Sequence, residues 1–193
     1  MKIIRDLGLL AGRLVLGAYL IAHGAQKLLG TFEGPGLKAA SKGFDRIGLR
    51  PGIVMATAAS VSEIGGGFLT AAGAWSPLGP IALVQTMAVA SVTHRAKGPF
   101  AAKGGFELAL TNLSAALVLA VAGPGRISAD HVLGLRLPRW KAWLATLGGL
   151  AAAAASIRMM LGAAPIVPET AAAPAASSSA STAPSGEPRM DAS

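Results

Sequence analysis

Glu63 lies near the middle of an apolar segment, residues 53–69, that is long enough to cross a lipid bilayer. A charged side chain at the centre of a bilayer costs about 2.5–3.5 kcal/mol, so a carboxylate there is seldom left unpaired. Two interpretations stay open. Glu63 either forms an ion pair with Arg13 or Lys27 that holds two helices together, or it belongs to a functional site in which a carboxylate relays protons.

Other polar residues that could share a site with Glu63 lie within or at the ends of apolar segments. The candidates for a catalytic role are Glu63, His94, Lys27 and Glu107, and the candidates for lining a cavity are Arg13, His23, Gln26 and Asn112. Histidine changes its charge near neutral pH and suits proton transfer, and a lysine can stabilise a developing anion. The alternative is that both histidines are ordinary interfacial residues and that Lys27 reaches to the lipid headgroups.

Metal binding is not predicted. Two histidines with two glutamates would be a suitable ligand set for several metals, but no tight spacing such as His-x-x-x-His occurs in the chain. The chain also contains no cysteine. This excludes disulfides, catalysis by a thiolate of this chain and cysteine-ligated metal centres.

The composition is that of a membrane protein. The 193 residues are 52% hydrophobic and only 13% charged, whereas soluble domains have about 25% charged residues. The net charge is +8, and the basic residues lie between apolar segments rather than on one continuous face. This pattern predicts contact with the headgroups of the lipid bilayer and argues against nucleic-acid binding.

Four apolar segments, at residues 6–29, 52–74, 80–93 and 106–122, approach the length of about 20 residues that crosses the bilayer core. They predict an all-α integral membrane protein, an antiparallel four-helix bundle. Residues 140–161 are interpreted as a fifth span, with an interfacial helix as the alternative. From residue 164 the chain is rich in Ala, Pro and Ser, which predicts a disordered tail. The predicted division is therefore 1–132, 133–163 and 164–193.

Span order predicts where the polar residues meet. In an antiparallel bundle the ends of odd-numbered spans and the starts of even-numbered spans share one membrane face. The predicted cluster on that face, with Glu63 beneath it, contains His23, Lys27, His94 and Glu107. The turn at residues 123–125 is expected on the opposite face near Arg5, where Asp130 would pair with Arg5 or Arg126.

Several short motifs, taken in order, resemble the DoxX family over about residues 5–132. They are Arg13-Leu14-Val15-Leu16-Gly17, His23-Gly24-Ala25-Gln26-Lys27-Leu28, Ser62-Glu63-Ile64-Gly65-Gly66, His94, Glu107-Leu108 leading to Asn112, and Gly123-Pro124-Gly125-Arg126-Ile127-Ser128-Ala129-Asp130. The resemblance implies a small four-helix protein of the bacterial cell membrane, related to the membrane subunit of thiosulfate:quinone oxidoreductase. It also implies a polar core made of Arg13, His23, Lys27, Glu63, His94, Glu107 and Asn112.

The predicted function is that of a membrane subunit in a redox or oxidative-stress system. Quinone is the candidate ligand, soluble or membrane redox proteins are the candidate partners, and the chain could form a homo-oligomer. Whether the chain is itself an enzyme, as a subunit of a quinone-linked oxidoreductase, stays open. The alternatives are a non-enzymatic scaffold that docks soluble redox proteins through its basic loops, and a small-solute or proton-coupled transporter.

Overall fold

A computed structural model describes residues 2–163, which contain seven α-helices, two short 3-10 helices and no strand. The α-helices are α1 (Lys2–Leu29), α2 (Gly36–Arg46), α3 (Gly52–Ala72), α4 (Leu78–His94), α5 (Glu107–Ala122), α6 (Ala129–Leu133) and α7 (Arg139–Gly162). The 3-10 helices, Arg95–Lys97 and Ala101–Lys103, lie between α4 and α5. The predicted all-α fold is confirmed, and the predicted tail at residues 164–193 lies outside the described residues.

Helices α1, α3 and α7 are long and apolar enough to cross a membrane. Helix α4 has 17 residues and α5 has 16, or about 24–26 Å at 1.5 Å per residue. Large apolar side chains also point outward from these helices, for example Val15, Val118 and Leu144, which are 72%, 63% and 60% exposed. Such surfaces are suited to lipid. The chain is therefore a membrane protein, as its composition predicts.

Glycines allow α1 and α3 to approach until their backbones nearly touch. A Cβ atom placed on Gly17 would lie 2.5 Å from the carbonyl oxygen of Gly67, and one on Gly24 would lie 2.8 Å from that of Ser60. Small residues at transmembrane helix contacts permit this close packing. As α1 advances from Gly17 to Gly24, its neighbours in α3 move back from Gly67 to Ser60, so the two helices are antiparallel.

The remaining helices complete the predicted bundle. Gly73, with a φ of 64°, ends α3 in the left-handed conformation that favours glycine, and a short turn leads into α4. Helices α1, α4 and α5 share the largest apolar cluster. Its buried members are Leu16, Leu20, Leu83, Met87, Ala116 and Leu119.

The predicted fifth helix is present as α7, which is long and apolar enough to cross a membrane and packs against α4. Gln85 of α4 donates a hydrogen bond to the carbonyl of Ala145 at 3.4 Å, and the hydroxyl of Thr93 lies 3.4 Å from the sulfur of Met160. Residue numbers increase together along both helices, so α7 runs parallel to α4. It therefore ends on the same membrane face as α1 and α4.

Candidate functional site

A buried ion pair joins the end of α1 to the middle of α3. The ammonium of Lys27 donates to Oε2 of Glu63. The Glu63 side chain is 4% exposed, whereas the Lys27 side chain is 26% exposed. The structure thus gives Glu63 a polar partner from another span, as predicted, and that partner is Lys27 rather than Arg13.

The sequence around Lys27 explains how this pair forms. Gly24 has no side chain to separate α1 from α3, and a Cβ atom there would lie 3.1 Å from the Cβ of Glu63. Lys27 follows three residues later and therefore lies on nearly the same side of the helix. The close approach at Gly24 brings the lysine within reach of a carboxylate that lies deep in the bundle.

Beside this pair is a cavity of about 600 Å³, which we call the Glu63 cavity. Its volume falls within the range of about 300–1,000 Å³ that is usual for small-molecule sites. Most of the lining is apolar, and helices α1, α3, α4, α5 and α7 all contribute to it. The polar residues that line it include Tyr19, His23, Lys27, Glu63, His94 and Asn112.

The two cavity histidines are held in different ways. Nδ1 of His94 lies 2.9 Å from the carbonyl oxygen of Gly104. Because a carbonyl only accepts hydrogen bonds, Nδ1 must carry the hydrogen, and in neutral His94 the other nitrogen, Nε2, is an acceptor. The ring of His23 packs edge-on against Tyr19, with centroids 4.5 Å apart. His94 is thus the histidine whose tautomer the fold specifies.

Part of the cavity wall consists of residues that were not among the predicted site residues. Ser62 and Thr86 share a hydrogen bond of 2.9 Å between α3 and α4, and both line the cavity. Ala152, Ala153 and Ser156 of α7 form another part of the wall. Ser62 directly precedes Glu63, which is a weak signal, but an Ala-rich helix gives no signal of which neighbour it packs against.

Arg13 was expected to line the cavity, but it lies near the other end of the bundle. Its side chain is 2% exposed, and Nη2 donates to the carbonyl oxygen of Ile127. Arg13 and Lys27 lie on one side of α1, but 14 residues of helix separate them by about 21 Å. Arg13 therefore lies too far along α1 to line the Glu63 cavity.

Glu107 and Gln26 also lie outside the cavity lining. Glu107 is exposed, and its Oε2 accepts a hydrogen bond from the backbone N–H of Ala101 at 2.9 Å. Gln26 donates to the carbonyl of Phe32 at 3.3 Å. Both side chains form hydrogen bonds with the backbone of a nearby loop. Each lies near a helix end, where backbone groups lack partners within the helix.

Charged residues at the opposite end of the bundle form ion pairs and hydrogen bonds between helices and loops. Asp6, which is 1% exposed, accepts a hydrogen bond from Nε of Arg126 at 2.8 Å and lies 3.6 Å from Arg5. The turn at residues 123–125 therefore lies near Arg5, as predicted from span order. Asp130 was expected to pair with an arginine, but its carboxylate accepts from the backbone N–H groups of Trp75 and Ser76 at 2.7 and 2.8 Å.

No group of three or more His, Asp or Glu side chains within residues 2–163 is placed to hold a metal ion. The candidates from sequence that line the Glu63 cavity are His23, Lys27, Glu63, His94 and Asn112. The catalytic roles assigned to these residues from sequence stay predictions.

Comparison with known proteins gives one match. The sequence model of the DoxX family matches residues 8–96, which cover α1 from Gly8 through the end of α4. No curated protein matches the chain, and no solved structure does. Helices α5 and α7, which complete the Glu63 cavity, lie outside the matched residues.

Proposed function

We propose that this membrane protein, whose residues 8–96 match the sequence model of the DoxX family, is the membrane subunit of a quinone-linked redox system. The quinone head group binds in the Glu63 cavity. The observation that carries the proposal is the buried ion pair between Lys27 and Glu63 on the wall of a cavity of about 600 Å³. We place the protein in the bacterial cell membrane, where quinones dissolve in lipid.

The chemistry of the lining suits a quinone. A quinone has an apolar ring and tail and two carbonyl oxygens that accept hydrogen bonds. The cavity is mainly apolar and offers a few polar groups for orientation, among them the Lys27 ammonium and the Asn112 amide. Most ligand pockets combine these features. The ammonium gives the strongest contact, because charge-assisted hydrogen bonds are roughly twice as strong as neutral ones.

The proposed reaction needs protons from the cavity and electrons from elsewhere. Reduction of a quinone to a quinol consumes two electrons and two protons. A cysteine-free chain has no thiol to donate electrons, so a reduced redox protein supplies both electrons. Glu63 and His94 each take up one proton from the surrounding water, on the carboxylate and on Nε2, and each passes it to one quinone oxygen, while Lys27 stabilises negative charge on an oxygen before its proton arrives.

A basic surface surrounds the cavity side of the protein and favours an acidic partner. Its exposed cations lie on α2, on the segment after α2 and on the loop between α4 and α5. They are Lys38, Lys42, Arg46, Arg50, Arg95, Lys97 and Lys103. Complementary charge accelerates association and orients partners. The same surface supports the second candidate function, a scaffold that docks an acidic redox protein without binding a quinone.

The test is to purify the full chain in mild detergent and identify bound lipids and proteins together by mass spectrometry. A short-chain quinone is then titrated by equilibrium dialysis. We expect a quinone to co-purify, and we expect Lys27→Met to weaken quinone binding about 10- to 100-fold, the value of one charge-assisted hydrogen bond. Glu107→Gln, outside the cavity, is the control.

Two results would decide against quinone binding. The first is co-purification of a redox protein with no quinone, which favours the scaffold. The second is equal quinone affinity in the wild type and in Lys27→Met, since the proposed ligand must contact the ion pair.

A further inference from the structure

A second, much smaller cavity lies near the opposite end of the bundle. It has a volume of about 10 Å³, and its lining includes Arg13, Thr70 and Gly73. We call it the Arg13 cavity. Within residues 2–163, three buried side-chain atoms have no hydrogen-bond partner in the protein, and all three belong to this lining. They are Nε and Nη1 of Arg13 and Oγ1 of Thr70.

Both residues are deeply buried, with Arg13 2% exposed and Thr70 1% exposed. An arginine stays charged in proteins and all its polar hydrogens are donors. Only Nη2 of Arg13 has a partner, the carbonyl oxygen of Ile127. Two of the three guanidinium nitrogens are therefore buried donors without an acceptor, which is a costly arrangement in the interior.

The nearby carboxylates are already committed to other groups. None of the three ion pairs in the described part of the chain involves Arg13. The Asp130 carboxylate accepts hydrogen bonds from the backbone N–H groups of Trp75 and Ser76, and Asp6 forms an ion pair with Arg126. Asp130 is close enough to interact electrostatically with Arg13, but no carboxylate of residues 2–163 lies within ion-pair distance of the guanidinium.

Three backbone acceptors on the cavity wall already have a donor. The carbonyls of Leu69 and Thr70 accept from Ala74 and Gly73, and the carbonyl of Leu119 accepts from Gly123. A water molecule could accept from Arg13, but it would also have to donate its own two hydrogens. An anion accepts from the unpaired donors and needs no acceptor in return, whereas a water does.

We propose that Arg13 and Thr70 bind one monatomic anion, chloride under cellular conditions. The guanidinium supplies the opposite charge and two N–H donors, and the Thr70 hydroxyl supplies a third donor. A volume of about 10 Å³ holds roughly one water-sized occupant. Sulfate and phosphate are therefore excluded by size, and a chloride ion, which is slightly larger than a water molecule, enters when the cavity wall moves outward.

The first test measures thermal unfolding of the full chain in detergent with sodium chloride or sodium gluconate at equal ionic strength. A ligand that binds only the folded protein raises its stability with concentration. We expect Tm to rise by about 5–10 °C when chloride exceeds its Kd a hundredfold. Bromide should act like chloride, and sulfate should not.

Thr70→Val tests the assignment with little change in shape. This variant should need at least about tenfold more chloride for the same rise in Tm, because one hydrogen bond to a charged group is lost. Thr111→Val changes an exposed threonine on α5 and should respond like the wild type. An unchanged chloride response in Thr70→Val would overturn the assignment.

Bromide also gives a direct result through its anomalous scattering. Crystals of the full chain grown in sodium bromide should show an anomalous peak within hydrogen-bond distance of Arg13 Nε and Thr70 Oγ1. Equal Tm in chloride and gluconate, together with a site that has no anomalous signal, would show that a water completes these donors instead.

Discussion

The two ends of this bundle use similar charged residues for different purposes. At one end Asp6 pairs with Arg126, and Asp130 holds the turn between α3 and α4, so the carboxylates join segments that would otherwise separate. At the other end Lys27 and Glu63 pair beside a cavity of about 600 Å³. Electrostatic pairing alone therefore does not identify a functional site in a membrane protein. The space beside the pair distinguishes the two ends.

The contacts between α1 and α5 show how the ends come to differ. At the closed end Gly12 lies against Leu119, with 3.8 Å between that side chain and a Cβ built on the glycine. Toward the other end the cavity lies between these helices, with Tyr19 and His23 on α1 and Leu108 and Asn112 on α5. The two helices are therefore in contact at one end and separated by the cavity at the other.

The largest expected effect comes from removing Lys27. Lys27→Met leaves the Glu63 carboxylate buried without its partner, which should lower the free energy of unfolding by about 3 kcal/mol. Unfolding in mild detergent, followed by circular dichroism, measures the change. Lys38→Met removes an exposed cation and is the control. Adding Glu63→Leu to Lys27→Met should restore much of the stability, and failure of this rescue would mean that the pair is not the cause.

A smaller loss of stability is expected at the closed end. Asp130→Ala removes the acceptor of two backbone N–H groups at the turn, and should cost about 2 kcal/mol. Quinone affinity should stay within about twofold of the wild type, because the substitution lies far from the Glu63 cavity. Glu33→Ala is a control on an exposed carboxylate. A large loss of quinone affinity in Asp130→Ala would show that the two ends are not independent.

Helix α7 should influence ligand binding more than stability. Ser156→Leu adds a large side chain to the cavity wall and should weaken quinone binding about tenfold, or about 1.4 kcal/mol, since it occupies space that the ligand needs. Ala155→Leu, one residue away, introduces the same side chain at an exposed position that does not line the cavity. Equal quinone affinities in these two variants, measured by equilibrium dialysis, would mean that α7 is not part of the site.

The smallest effect is expected at Glu107. Its carboxylate accepts a hydrogen bond from the backbone of Ala101, and a glutamine oxygen can do the same. Glu107→Gln should therefore change the free energy of unfolding by less than about 0.5 kcal/mol and leave quinone affinity unchanged. A tenfold loss of quinone affinity would mean that Glu107 contributes to the quinone site, contrary to its position outside the cavity lining.

The sequence predicted the parts of this molecule that depend on the cost of burying polar groups. A carboxylate within an apolar segment needs a polar partner, which predicted the pairing of Glu63. Span order predicted that Lys27 and His94 lie on the same membrane face. Residues 6–29, 52–74, 80–93 and 106–122 also match α1, α3, α4 and α5 within a few residues. Hydrophobic length and alternation of direction are properties of the chain itself, so they can be deduced without a structure.

The errors arose where position along a helix or choice of neighbour mattered. Arg13 shares a helical stripe with Lys27, yet the two lie at different depths. Asp130 was matched to an arginine by charge, although the free N–H groups of Trp75 and Ser76 at the turn satisfy it instead. The contribution of α7 to the cavity depends on which helix an Ala-rich surface packs against, which its own residues do not specify.

Accessibility of two positions on α3 tests the central comparison most directly. Because the chain has no cysteine, Ser62→Cys and Thr70→Cys each introduce a single thiol with little change in size. Ser62 lines the Glu63 cavity, and Thr70 is buried at the closed end. The rate of reaction with a small methanethiosulfonate reagent is measured for both variants in membranes, with and without a short-chain quinone.

We predict that Ser62→Cys reacts readily and that saturating quinone slows its reaction at least about tenfold. Thr70→Cys should react only after unfolding, and quinone should not affect it. Equal reactivity at the two positions would contradict the contrast between an open and a closed end. Rapid labelling of Ser62→Cys that is unaffected by quinone would contradict the proposal that the Glu63 cavity is a quinone site.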